Sequence, residues 1–96
     1  MTSPARRVAA RVVQRVFEEE AYADRAFRGS AERLEPRDRA FAQQLAYGTV
    51  QRVRTLDHAI ETLGRRPVRK LDPPVRAALR TRAYQLAFMD RVPPHA

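Results

Sequence analysis

The sequence predicts an all-α fold, an antiparallel helical bundle. Three observations carry the all-α class. Apolar residues recur at three- and four-residue spacing through most of the chain, prolines sit where helices start, and strand-like alternation appears nowhere. The 96 residues make one small domain (1–96), which buries about two-thirds of its unfolded surface and is stable by a narrow margin. An apolar content of 44% is ordinary for a globular chain and argues against wholesale disorder.

Ser3 followed by Pro4 is a helix start: a side-chain cap, then a residue that needs no N–H. From there Ala5, Val8, Ala9, Val12, Val13, Val16 and Phe17 define one buried stripe. Arg7, Arg11 and Arg15 fall opposite it. A second helix is expected over about Ala21 to Glu32, with Tyr22, Ala23, Ala26 and Phe27 inward. Pro36 opens a third, whose apolar series Phe41, Leu45, Val53, Leu56, Ile60 and Leu63 runs in register to Gly64, which suits a left-handed C-terminal cap. Gly48 lies inside it at a cost of roughly 1 kcal/mol relative to alanine, which points to a close helix–helix contact or a kink. Asp72-Pro73-Pro74 starts a fourth helix. Val75, Ala78, Leu79, Ala83 and Leu86 form one of its stripes, and Ala77, Tyr84 and Phe88 a second. Arg82 projects a charge from the first stripe. Pro93-Pro94 is expected to end this helix.

The formal charge of +8 points to a polyanionic partner, of which nucleic acid is the commonest. Residues 1–17 sum to +4, 18–35 to −3, 36–64 to +1 and 65–96 to +6, so two basic ends flank an acidic connection. Eighteen Arg against one Lys, with sixteen Ala and no Asn, is what a GC-rich genome imposes, so the preference for arginine says less than its placement. In the first helix that placement is electrostatically unfavourable. Arg7, Arg11 and Arg15 repel one another at i,i+4 spacing by roughly 0.2–0.5 kcal/mol per pair. Arg6 and Arg7 also sit at the positive end of the helix dipole, and Glu18, Glu19 and Glu20 at its negative end. A solvated helix face is the plain reading of such a stripe; a phosphate-binding surface is the functional one.

The absence of cysteine excludes disulfides, thiolate nucleophiles and zinc–sulfur sites, and fits a cytoplasmic location. No apolar run is long enough to span a bilayer, and no signal peptide is expected. The Arg- and Ala-rich, acid-free start has a transit-peptide flavour but runs straight into globular sequence. His58 and His95 stand alone, Glu18–Glu20 point apart on a helix, and the three glycines form no phosphate-cradling loop. No cofactor and no catalysis is expected of these residues alone.

Three segments occur together: Asp38-Arg39-Ala40-Phe41 with Tyr47-Gly48-Thr49; Arg54-Thr55-Leu56-Asp57; and Pro73 to Ala96, reading PPVRAALRTRAYQLAFMDRVPPHA. They resemble the NusB-like N-terminal domain of bacterial 16S ribosomal RNA cytosine-C5 methyltransferases. The match is specific at the AYQL…DRVPPHA end and generic in the first two helices. The resemblance implies two antiparallel helical halves (1–64 and, from 71, the start of the second) joined near Gly64 to Leu71. About four helices are present and the closing helices of the fold are missing. It also implies RNA binding through Arg6, Arg7, Arg11 and Arg15, and gives Asp57 a structural role. A NusB-type transcription antitermination module, binding RNA and protein partners, is the alternative within the family; a basic helical protein holding duplex DNA without sequence preference is the rival outside it.

Two departures from the family pattern stand out. Thr81-Arg82 replaces the usual Leu-Gly, which predicts that Arg82→Gly raises the melting temperature. Pro93-Pro94-His95-Ala96 normally begins a further helix, and a methyltransferase domain using S-adenosylmethionine normally follows. A fourth helix apolar on two faces, without closing partners, predicts dimerisation, domain swapping or low stability.

Overall fold

The computed structural model describes residues 3–90. They form five α-helices: α1 (Pro4–Glu18), α2 (Ala23–Ser30), α3 (Pro36–Gln51), α4 (Val53–Gly64) and α5 (Pro73–Tyr84). A short 3-10 turn, Val68–Lys70, precedes α5, and a π turn, Gln85–Met89, continues it. Proline stands at the start of α1, α3 and α5 as the sequence requires. The Ser3 hydroxyl accepts the Arg6 backbone N–H at 3.2 Å, satisfying one of the four orphan donors of α1. The expectation of an all-α bundle holds.

Helix α1 is the centre of the bundle and packs against α2, α3 and α5. Its stripe of Ala5, Ala9 and Val12 meets Ala26 and Phe27 of α2 and Ala42, Leu45 and Ala46 of α3. Most of these side chains are methyl groups. Little apolar area is buried per residue, and cohesion depends on how closely the backbones approach. Gly48 takes that logic furthest. The Tyr84 ring of α5 lies against its Cα, so that even a methyl group there would collide with ring atoms Cζ, Oη and Cε2. Tyr84 in turn stacks on Phe88, with centroids 5.2 Å apart. The close contact expected at Gly48 is present.

Several sequence expectations are corrected. The single third helix is two, because the chain breaks at Arg52 (φ −115°, ψ 22°). The Thr49 hydroxyl donates back to the Leu45 carbonyl at 2.7 Å, and the Arg52 N–H is shared between the Gly48 and Thr49 carbonyls. That geometry tightens the last turn of α3. The Arg52 guanidinium then lies 4.3 Å from the Phe88 ring centroid. Helix α2 is shorter than expected, and Tyr22 is not inward: it caps the helix at 72% exposure, with Arg25 beside its ring. Leu63 is exposed as well. Gly64 is still helical, and Arg65 takes the left-handed cap position at φ 57°.

Helix α5 is rotated relative to the pattern drawn from its apolar residues. The inward residues are Ala77, Arg80, Thr81 and Gln85, while Val75, Leu79 and Leu86 are exposed. Three polar residues face the bundle because each finds a partner. Arg80 donates to both carboxylate oxygens of Asp57 at 2.7 and 2.8 Å and lies 4.9 Å from the Phe17 ring centroid. Thr81 donates to the Ala78 carbonyl, and Gln85 accepts from Arg6. Arg82 is exposed, so it relieves no clash when removed. Arg82→Gly would lower stability by roughly 0.8–1 kcal/mol, the cost of glycine in an exposed helix. The Pro93-Pro94 stop and the start of a further helix at Pro93–Ala96 lie outside the described residues.

Candidate nucleic-acid interface

The charge arrangement of α1 is compensated at its C-terminal end. At its C-terminus Glu18 accepts from Arg76 Nη2 and Nε at 2.7 and 2.9 Å, and Glu19 pairs with Arg15 at 3.5 Å. Two of the three acids that oppose the helix dipole, Glu18 and Glu19, are thus engaged by cations, one of these brought from α5. At the N-terminal end no acid stands in the first turn, and Arg7 and Arg11 are exposed.

Those arginines border a cleft of about 750 Å³ between α1 and α5. Arg6, Arg7 and Arg11 line it from α1, and Arg82 lines it from α5. Gln14 and Gln85 supply amides to its walls, and Ala10, Leu45, Ala78 and Leu79 make an apolar floor. Arg6 is held in place, donating from Nε to Gln85 Oε1 at 3.0 Å, while Gln85 Nε2 reaches Asp90 at 3.5 Å. The π turn matters here. Its i→i+5 bond from Asp90 N–H to the Gln85 carbonyl widens the backbone where Gln85 turns toward α1, a placement typical of such turns.

Of the four arginines singled out in the sequence, Arg6, Arg7 and Arg11 share this cleft. Arg15 does not line it; half-buried and paired with Glu19, it sits close to Gly29 of α2. The helical drift of 40° per four residues carries it away from Arg7. Arg82 joins Arg6, Arg7 and Arg11 at the cleft although the sequence did not single it out as a binding residue. Its signal in the sequence is the charge that interrupts the apolar stripe of α5, a stripe that is exposed and not core. Arg76 and Arg80 are committed to structural ion pairs. No helix among the described residues is long and apolar enough to cross a membrane, and among them no cluster of His, Cys, Asp and Glu could hold a metal.

Fold and cleft together define a small, basic, all-α domain. The chain belongs to the NusB family, whose model matches residues 3–96. It is similar to the probable ribosomal RNA small subunit methyltransferase B of Synechocystis sp., with 38% identity over 94 residues. The match takes in 96% of this chain and 21% of that relative, so the chain spans about a fifth of the length of the protein it resembles. No solved structure gives a significant match.

Proposed function

We propose that this domain docks 16S ribosomal RNA for a cytosine-C5 methyltransferase and does no chemistry itself. The observation that carries the reading is the set of four arginines, Arg6, Arg7, Arg11 and Arg82, that two helices bring to one cleft. A similar protein bears the name of a ribosomal RNA methyltransferase, which favours this reading over an antitermination module. The chain has no cysteine, the nucleophile that such enzymes are expected to use, so methyl transfer would fall to another part of the parent protein. The setting is the cytoplasm, where the RNA is.

The mechanism is phosphate neutralisation. Each arginine that replaces a condensed counterion contributes through the release of that ion, so affinity falls steeply with salt. Fluorescence anisotropy with a ribosomal RNA stem-loop, matched duplex DNA and a salt series tests it. Replacing Arg7 and Arg11 together by alanine should leave helicity intact, weaken RNA binding and flatten the log–log salt slope by about 1.4–1.8. Equal affinity for the DNA duplex, or a double variant that binds as before, would overturn the reading.

A further inference from the structure

We propose that the connection between α4 and α5 is a second, separate phosphate-binding site, so that the domain holds its RNA at both ends of the seam between α1 and α5. This rests on the RNA-docking reading and adds a contact that the cleft does not supply.

The connection carries Arg65, Arg66, Arg69 and Lys70, all exposed. None of the four pairs with an acid or a ring among the described residues. The acids around them are engaged elsewhere. Glu61 accepts the Val68 N–H at 2.8 Å, Glu18 is held by Arg76 and Asp57 by Arg80. Asp72 lies at the N-terminus of α5, where the helix dipole offsets its charge. Placement adds to the argument. Arg65 and Arg66 follow the C-terminus of α4, where the dipole favours cations. Arg69 and Lys70 stand instead just before the N-terminus of α5, where it opposes them. Arg65 also holds a left-handed φ of 57° beside Gly64, a conformation that glycine takes without strain.

A mobile charged loop binds weakly because the ligand must order it. This one is ordered beforehand. Val68 is buried, and Arg76 Nη1 holds the Val68 and Leu71 carbonyls on either side of Arg69 and Lys70. The same guanidinium binds Glu18, which sets the connection beside the C-terminal end of α1. The cleft is rimmed near the other end of that helix by Arg6, Arg7 and Arg11. The rise from Arg7 to Glu18 is about 16 Å, so the two sets of cations are distinct sites on one scaffold. An RNA held at the first meets the second at a high effective concentration.

The test uses fluorescence anisotropy with the ribosomal RNA stem-loop over a salt series. Arg66→Gln/Arg69→Gln/Lys70→Gln removes three cations that make no contact within the described residues, so thermal unfolding should be unchanged. RNA binding should weaken, and the log–log salt slope should flatten by about 2.1–2.7. Arg25→Gln/Arg33→Gln/Arg37→Gln removes three exposed cations on the α2 side and should flatten the slope by less than about 0.7, the value of one contact. Arg66→Lys/Arg69→Lys keeps the charges and should bind as the unmodified chain does. A triple variant of the connection whose slope matches that of the α2-side variant would overturn the inference. So would a lysine variant as weak as the glutamine one. Either result leaves the docking reading standing, because the unmodified chain still binds. An unmodified chain that does not bind the stem-loop would overturn both.

Discussion

Replacing Gly48 by alanine sets two effects of opposite sign against each other. Glycine inside a helix is worse than alanine by roughly 1 kcal/mol, and Gly48 lies in α3 with an ordinary negative φ. On propensity alone the substitution stabilises. The new methyl group, however, would fall on the Tyr84 ring. Forcing a methyl into a filled contact costs about 1–3 kcal/mol. Tyr84 cannot retreat freely, because its ring stacks on Phe88, and Phe88 carries the Arg52 guanidinium on its ring. Disturbing that stack adds about 0.5–1.5 kcal/mol. The net expectation is a loss of roughly 2 kcal/mol, or about 8–16 °C in Tm for a domain of this size. Thermal unfolding followed by circular dichroism reads it directly. The double variant Gly48→Ala/Tyr84→Ala should lose less than the sum of its parts, since the clash vanishes with the ring. An unchanged or raised Tm for Gly48→Ala would show that the close approach of α3 and α5 is not as described.

The remaining expectations concern stability. Arg80→Ala leaves Asp57 without its bidentate partner and Phe17 without its cation; the loss should be about 3 kcal/mol, near the lower end for broken buried pairs because water reaches Asp57. Chemical denaturation of Arg80→Ala, Asp57→Ala and the double variant should show strong non-additivity, and additive losses would refute the pairing. Arg65 and Glu20 hold φ values of 57° and 54°, which glycine adopts without strain. Arg65→Gly and Glu20→Gly should each raise stability by about 0.5–1 kcal/mol after the greater chain entropy of unfolded glycine is allowed for, and a fall in Tm for either would refute it.

The features legible in the sequence were those fixed by short-range chemistry. Ser3-Pro4, Pro36 and Asp72-Pro73 mark the starts of α1, α3 and α5 because caps and prolines act over one turn. The α1 stripe was legible because all its inward residues are apolar. The face of α5 was not, because Arg80 and Gln85 point inward to partners 23 and 79 residues away in the chain, which no local pattern encodes. The break at Arg52 was not legible because the apolar spacing runs on through it, although the Thr49 bond back to Leu45 that accompanies the break is local. At the cleft, Arg7 and Arg11 followed from the helical pattern of α1 and Arg6 from the family resemblance, whereas Arg82 could be placed there only once α5 was known to lie beside it.

Arg76 has a consequence for cooperativity. Its guanidinium holds the Val68 and Leu71 carbonyls at 2.9 and 3.1 Å while also binding Glu18, and the Val68 N–H is fixed on Glu61. One side chain of α5 thus joins the end of α1 to the connection between α4 and α5. The segment from Arg65 to Lys70 is rich in charge, and its composition alone would assign it to the fraying, fast-exchanging fringe of the molecule. Tied in this way, it should open together with the start of α5, a coupling that amide hydrogen exchange would read. The linker then belongs to the same unfolding unit as the helices it joins, and the walls of the cleft do not hinge on it.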